Sequence, residues 1–73
     1  RELGKSDWVR ILRNRAMLRA SMGDARGFRE DLEAAHSILP RAENARALSA
    51  AYAELGEEES AKLWRVRSRT LAP

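Results

Sequence analysis

Apolar residues recur along this chain at helical rather than strand spacing. Phe28, Leu32, Ala35 and Leu39 fall at i, i+4, i+7 and i+11, one face of an α-helix, and Ala45, Leu48, Tyr52 and Leu55 form a second such stripe. Breaks fall at Gly4, Gly23, Pro40, Gly56 and Pro73, and the intervals are rich in Ala, Leu, Arg and Glu with few β-branched residues. Four helices are predicted. The first starts at Ser6 or Asp7, either able to cap exposed backbone N–H groups, and runs to Met22, where Gly23 supplies a left-handed C-cap. Asp24 caps the second, and Pro40 stops it by excluding the preceding residue from helical geometry. The third runs from about Ala42 to Leu55 and ends at Gly56. The fourth opens with Glu57, Glu58 and Glu59 at its positive pole, closes with Arg65, Arg67 and Arg69 toward its negative pole, and ends near Leu71.

The breaks repeat. Gly23 to Gly56 and Pro40 to Pro73 are each 33 residues apart, so the four helices become two copies of one helix-turn-helix unit, residues 6–40 and 41–73, with residues 1–5 as the end of a preceding segment. One such hairpin cannot bury its apolar face alone and must stack on the next. The expected architecture is all-α, antiparallel helix hairpins stacked as a fragment of an α-solenoid.

Composition narrows the functions open to such an array. The chain has 73 residues, and 13 of its hydrophobic residues are alanine, leaving 19 larger apolar side chains for a core. A thin core excludes a large enclosed active site. Without cysteine there is neither a disulfide framework nor a thiolate metal site. No run of 18 apolar residues is present, so no membrane insertion is expected. The chain begins at Arg1 without an initiator Met, which suggests a piece of something longer. The net charge of +3 conceals blocks: residues 1–29 carry eight cations and three anions, residues 30–61 two and eight, and residues 62–73 four and none. Basic ends flanking an acidic middle favour pairing between segments or with a partner over nucleic acid.

The repeat unit resembles the tetratricopeptide repeat family. The second unit matches through Leu48-Ser49, Tyr52, Gly56, Ala61 and Pro73, and the first through Leu12, Ala16, Gly23-Asp24, Leu32, Ala35 and Pro40. The first departs at Arg15 and Arg19, where Leu and Tyr are usual, and at Phe28, where a small residue is usual. The resemblance implies a concave surface lined by the first helix of each unit. Carried over, it places Arg10, Arg13, Met17 and Ala20 beside Glu43, Arg46, Ala50 and Ala53, a groove able to admit an extended peptide or a helix. Members that grip a C-terminal carboxylate use lysine and asparagine there, and Met17 and Ala50 stand where the asparagines belong, so no such clamp is expected.

Catalytic chemistry is not expected. His36 is the only histidine, so no metal-ligand set exists, and no serine is part of a recognisable nucleophile–base arrangement. The acidic run Glu57–Glu59 suits a helix N-terminus rather than a cation site, and Gly4-Lys5-Ser6 lacks the upstream glycine and strand of a phosphate-binding loop. No catalytic residue, cofactor or metal is assigned. The expected role is a scaffold or adaptor that binds a protein or peptide, acidic ones among them. Alternatives are a structural or oligomerising segment of a longer array and, less favoured for want of interleaved aromatics, a basic nucleic-acid-binding module. Leu63, Trp64, Val66 and Leu71 are expected at an outward seam with another repeat or a second copy, with Trp8 and Leu3 at the opposite end; an internal core role is the other reading of each tryptophan. The expected assembly is either a homo-oligomer, with a two-fold dimer favoured over a head-to-tail stack, or a longer array with additional repeats.

Overall fold

Local chemistry sets the limits of each helix. In the computed structural model, which describes residues 3–71, α1 spans Lys5–Ser21, α2 Ala25–Ile38, α3 Ala42–Glu54 and α4 Glu58–Leu71. The start of α1 differs from expectation: Gly4 is the N-cap, and Asp7, the third helical residue, accepts a hydrogen bond from the Gly4 N–H at 3.1 Å. A carboxylate at that position satisfies a donor that the helix itself leaves free. At α2 the Asp24 carboxylate accepts from the Gly27 N–H at 2.9 Å.

The ends of α1 and α3 are copies of each other. Gly23 and Gly56 have φ of 77° and 81°, the left-handed region where an L side chain is strained. Gly23 N–H donates to the Ala20 carbonyl and Asp24 N–H to the Arg19 carbonyl; 33 residues later Gly56 N–H donates to Ala53 and Glu57 N–H to Tyr52. This paired closure uses up carbonyls at the helix end and turns the chain back on itself. The repeat in sequence is thus a repeat in backbone geometry. Pro73, the expected close of the second unit, lies outside the described residues.

The protein is all-α. Helix α1 packs on α2, α2 on α3 and α3 on α4, giving two stacked hairpins in a body of 41 × 32 × 14 Å. So flat a shape has little interior. Its core gathers Ala16, Leu32, Ala45, Leu48, Tyr52, Ala61 and Trp64, with Phe28 and Ala47 packed against them. Small residues let α3 and α4 approach closely enough for the buried Ser49 hydroxyl to donate to the Ala61 carbonyl at 2.8 Å. The Tyr52 hydroxyl donates to Glu33 on α2 at 2.7 Å, and the Arg29 guanidinium lies 5.4 Å from the Tyr52 ring centre.

Trp64 corrects an expectation. Instead of lying at an outward seam it is 9% exposed, set edge-on to His36 with ring centroids 5.1 Å apart, while Arg67 covers its ring at 4.6 Å. The indole fills the space between α2 and α4, where its large apolar area is kept from water beside His36 and the core.

The two hairpins are closed by different chemistry. Leu48, Tyr52 and Trp64 join α3 to α4 and α2 with apolar surface, whereas the residues 33 positions earlier are Arg15, Arg19 and Asp31. These three form a charged clasp. Arg15 donates from Nε and Nη2 to the two carboxylate oxygens of Asp31 at 3.0 and 2.8 Å, and Arg19 Nη1 approaches at 3.5 Å. The Asp31 side chain is 3% exposed. Its carboxyl is held below the usual carboxylate range, chiefly by the Arg15 hydrogen bond, against the opposing effect of burial. Gly27 permits this approach, because a Cβ there would overlap the Asp24 carboxylate and lie 2.6 Å from Arg19 Cδ. Arg15, Arg19 and Asp31 are therefore one paired set across α1 and α2.

Candidate interaction surface

A body this thin presents surfaces rather than chambers. A hollow of about 440 Å³ lies where the N-terminal half of α1 meets the turn between α2 and α3. It is lined by Arg10, Arg13, Asn14 and Met17 from α1 with Leu39 and Arg41 from the turn. The helical period places Arg10, Arg13 and Met17 along one side of α1, and Pro40 forces the extended turn that brings Arg41 beside them. Arg10 is held by Asp7 at 3.2 Å, and Arg13 Nη1 meets Glu43 Oε1 on α3 at 3.1 Å. Both pairs are open to water, where such contacts contribute about 0–1 kcal/mol. An incoming carboxylate can replace them at little cost.

A second hollow of about 360 Å³ lies between α3 and α4, lined by Arg46, Ser49, Ala50, Ala53, Arg65 and Ser68. Its floor is small residues. The hydroxyls of Ser49 and Ser68 already donate to the carbonyls of Ala61 and Arg65, at 2.8 and 2.7 Å. Among the described residues, Arg41, Arg46 and Arg65 take part in no ion pair. The two hollows therefore offer the cations Arg41, Arg46 and Arg65, without an ion-pair partner among the described residues, beside apolar surface such as Met17, which is 67% exposed.

The residues expected to line one groove are distributed over more than one site. Arg10, Arg13 and Met17 share the first hollow, with Glu43 touching it through Arg13; Arg46, Ala50 and Ala53 share the second. Ala20 belongs to neither and lines a smaller hollow with Gly23, Phe28 and Glu54 at the other end of α1. Leu39, Arg41, Arg65 and Ser68 were not anticipated, because they come from a turn and a second helix rather than from the first helix of a unit. Of the expected seam residues, Leu3, Trp8, Leu63, Val66 and Leu71 are exposed and Trp64 is buried.

The one imidazole stands apart from both hollows. His36 Nδ1 accepts weakly from the Arg41 N–H at 3.4 Å, and its pKa is lowered first by burial and then by the charge of Arg67. A neutral ring wedged against Trp64 is a packing element. Among the described residues no group of three or more His, Cys, Asp or Glu is placed to hold a metal ion, and no helix is long and apolar enough to cross a membrane. No protein-family model, characterised protein or solved structure matches the chain.

Proposed function

We propose that this chain is a non-enzymatic protein-interaction module, two tetratricopeptide-like hairpins that bind an acidic or mixed-charge peptide segment across the first hollow. One observation carries the reading: Arg10, Arg13 and Arg41 converge on a hollow that also exposes Met17, so charge-assisted hydrogen bonds and apolar contact are offered side by side. Arg46 and Arg65 give the second hollow cationic groups of its own. The partner contributes carboxylates, and the flexible thioether of Met17 adapts to its apolar side chains.

The test is a titration of the chain with an acidic extended peptide, read by fluorescence anisotropy of the labelled peptide, alongside the double variant Arg10→Glu, Arg13→Glu. Loss of at least about tenfold in affinity is expected from reversing two charge-assisted contacts. Equal affinity for the double variant refutes the assignment. A second reading, a structural or oligomerising segment of a longer repeat array, is favoured by a different observation, the apolar surface that α1 leaves exposed at Trp8, Ile11, Leu18 and Met22.

A further inference from the structure

The repeat allows each position of α1 to be compared with the position 33 residues later in α3. Helix α3 packs on α4 as α1 packs on α2, but α3 has one more neighbour, because α2 also covers it. Residues buried in α3 and exposed in α1 are therefore those that a preceding helix covers. Asn44, Leu48 and Ala51 are 1%, 0% and 1% exposed; their counterparts are Ile11 at 44%, the half-open Arg15 and Leu18 at 60%. Met22, opposite the half-buried Leu55, is 68% exposed, and Trp8 continues the same line at 48%. Trp8, Ile11, Arg15, Leu18 and Met22 follow the i, i+3, i+7, i+10, i+14 spacing of a helix-packing stripe. At Ile11 and Asn44 the chain even places the apolar residue at the exposed position and the polar one at the buried position.

The other end is built differently. Arg29, Leu32, Glu33 and His36 on α2 correspond to Lys62, Arg65, Val66 and Arg69 on α4, all four exposed. Three cations and a valine make this face of α4 mainly cationic, with Leu63 and Leu71 exposed elsewhere on the helix.

Charge selects the occupant of the α1 stripe. On the faces themselves, the α1 stripe carries one charged residue, Arg15, and α4 presents Lys62, Arg65 and Arg69 with no acidic residue among them. A second copy docking α4 on α1 sets cations against cations, and a two-fold pairing of α1 with itself brings two Arg15 residues to the axis. Arg15 commits Nε and Nη2 to Asp31 and leaves Nη1 without a hydrogen-bond partner among the described residues, in the middle of the stripe. We infer that the outward face of α1 is a docking site for an acidic amphipathic helix of a partner protein, whose apolar stripe covers Trp8, Ile11, Leu18 and Met22 and whose carboxylates meet Arg15. This rests on the reading of the chain as an interaction module, but it uses a different face from the Arg10–Arg13 hollow.

The test uses the whole chain and a synthetic amphipathic helical peptide with Leu at i, i+3, i+7 and i+10 and Glu along its flanks, together with the same peptide carrying Lys for every Glu. Fluorescence anisotropy of each labelled peptide gives affinity, and iodide quenching of tryptophan emission reports cover over the exposed Trp8. The Glu peptide is expected to bind and to protect tryptophan, and the Lys peptide to bind at least about tenfold more weakly. The double variant Ile11→Ser, Leu18→Ser, which alters only exposed side chains and whose helicity is checked by circular dichroism, is expected to lose about tenfold or more of the affinity for the Glu peptide. The variant Arg10→Glu, Arg13→Glu is expected to retain binding of the helix. Absence of binding, equal binding of the two peptides, or unchanged affinity in the Ile11–Leu18 variant overturns the inference. If binding is lost in the Arg10–Arg13 variant alone, the helix face is wrong while the interaction module stands. A dimer in sedimentation that Ile11→Ser, Leu18→Ser dissolves makes a second copy the occupant, and also overturns it.

Discussion

Removing the Asp31 carboxylate probes the charged clasp that closes the first hairpin. In Asp31→Ala, α2 loses hydrogen bonds from Arg15 at 2.8 and 3.0 Å and the longer approach of Arg19 at 3.5 Å. Breaking a fully buried ion pair costs about 3–5 kcal/mol, and an exposed one about 0–1. The clasp lies between these limits, since Asp31 is sealed while Arg15 is 55% and Arg19 30% exposed and each regains water when released. A loss of about 1–3 kcal/mol is expected, the range for hydrogen bonds to a charged group. For a domain of this size each kcal/mol lowers Tm by about 4–8 °C. Urea and thermal unfolding followed by far-ultraviolet circular dichroism measure it. The pH dependence supplies the sign. Because the folded-state pKa of Asp31 is depressed, its stabilisation is complete above the ordinary carboxylate value of about 4 and is lost as pH falls below it toward the folded value. The gap between wild type and Asp31→Ala should therefore narrow below about pH 4. A change under about 0.5 kcal/mol at pH 7, or a gap that ignores pH, refutes the clasp as a structural element.

Three further outcomes follow from particular contacts. Gly27→Ala, favourable by helix propensity alone, is expected to destabilise by about 1–3 kcal/mol, because the added methyl collides with Asp24 and Arg19; a raised Tm contradicts the packing. Asn44→Leu is expected to stabilise by about 1 kcal/mol, since the buried Nδ2 of Asn44 has no hydrogen-bond partner among the described residues; a loss of stability in urea melts shows that this amide is satisfied. His36 has a lowered folded-state pKa, so its stabilising contribution is full above about pH 6.5 and declines as pH falls through that value. His36→Gln should flatten the dependence of the urea midpoint on pH between about 7.5 and 5, and an unaltered slope assigns the dependence elsewhere.

Much of the helical frame was legible because its boundaries are set locally. Gly23 and Gly56 occupy backbone geometry that other residues resist, and Pro40 ends a helix whatever surrounds it. Direction around a helix was harder to read. On α4 the neighbours Leu63, Trp64 and Val66 offer apolar surface on more than one side, and only contact with His36 and the core decides that Trp64 turns inward. Alignment at the 33-residue spacing would have placed it opposite the buried Asp31. The clasp was visible as two unexplained arginines, but seeing it required pairing Arg15 and Arg19 with a carboxylate on the next helix. In the same way, one-helix periodicity located Arg10, Arg13 and Met17, whereas Arg41 and Leu39 reach the same hollow through the turn after α2, whose path depends on how the hairpins stack.

The measurement that tests the interaction-module reading most directly is residue-resolved amide NMR of the chain, titrated at two salt concentrations with an acidic peptide and separately with a single-stranded oligonucleotide. The peptide is expected to move the amides of Arg10, Arg13, Met17 and Arg41 in a saturable manner, and the oligonucleotide to leave them in place. An oligonucleotide that moves these amides with a steep salt dependence, together with silence toward the peptide, would contradict that reading by identifying phosphate as the ligand of this surface.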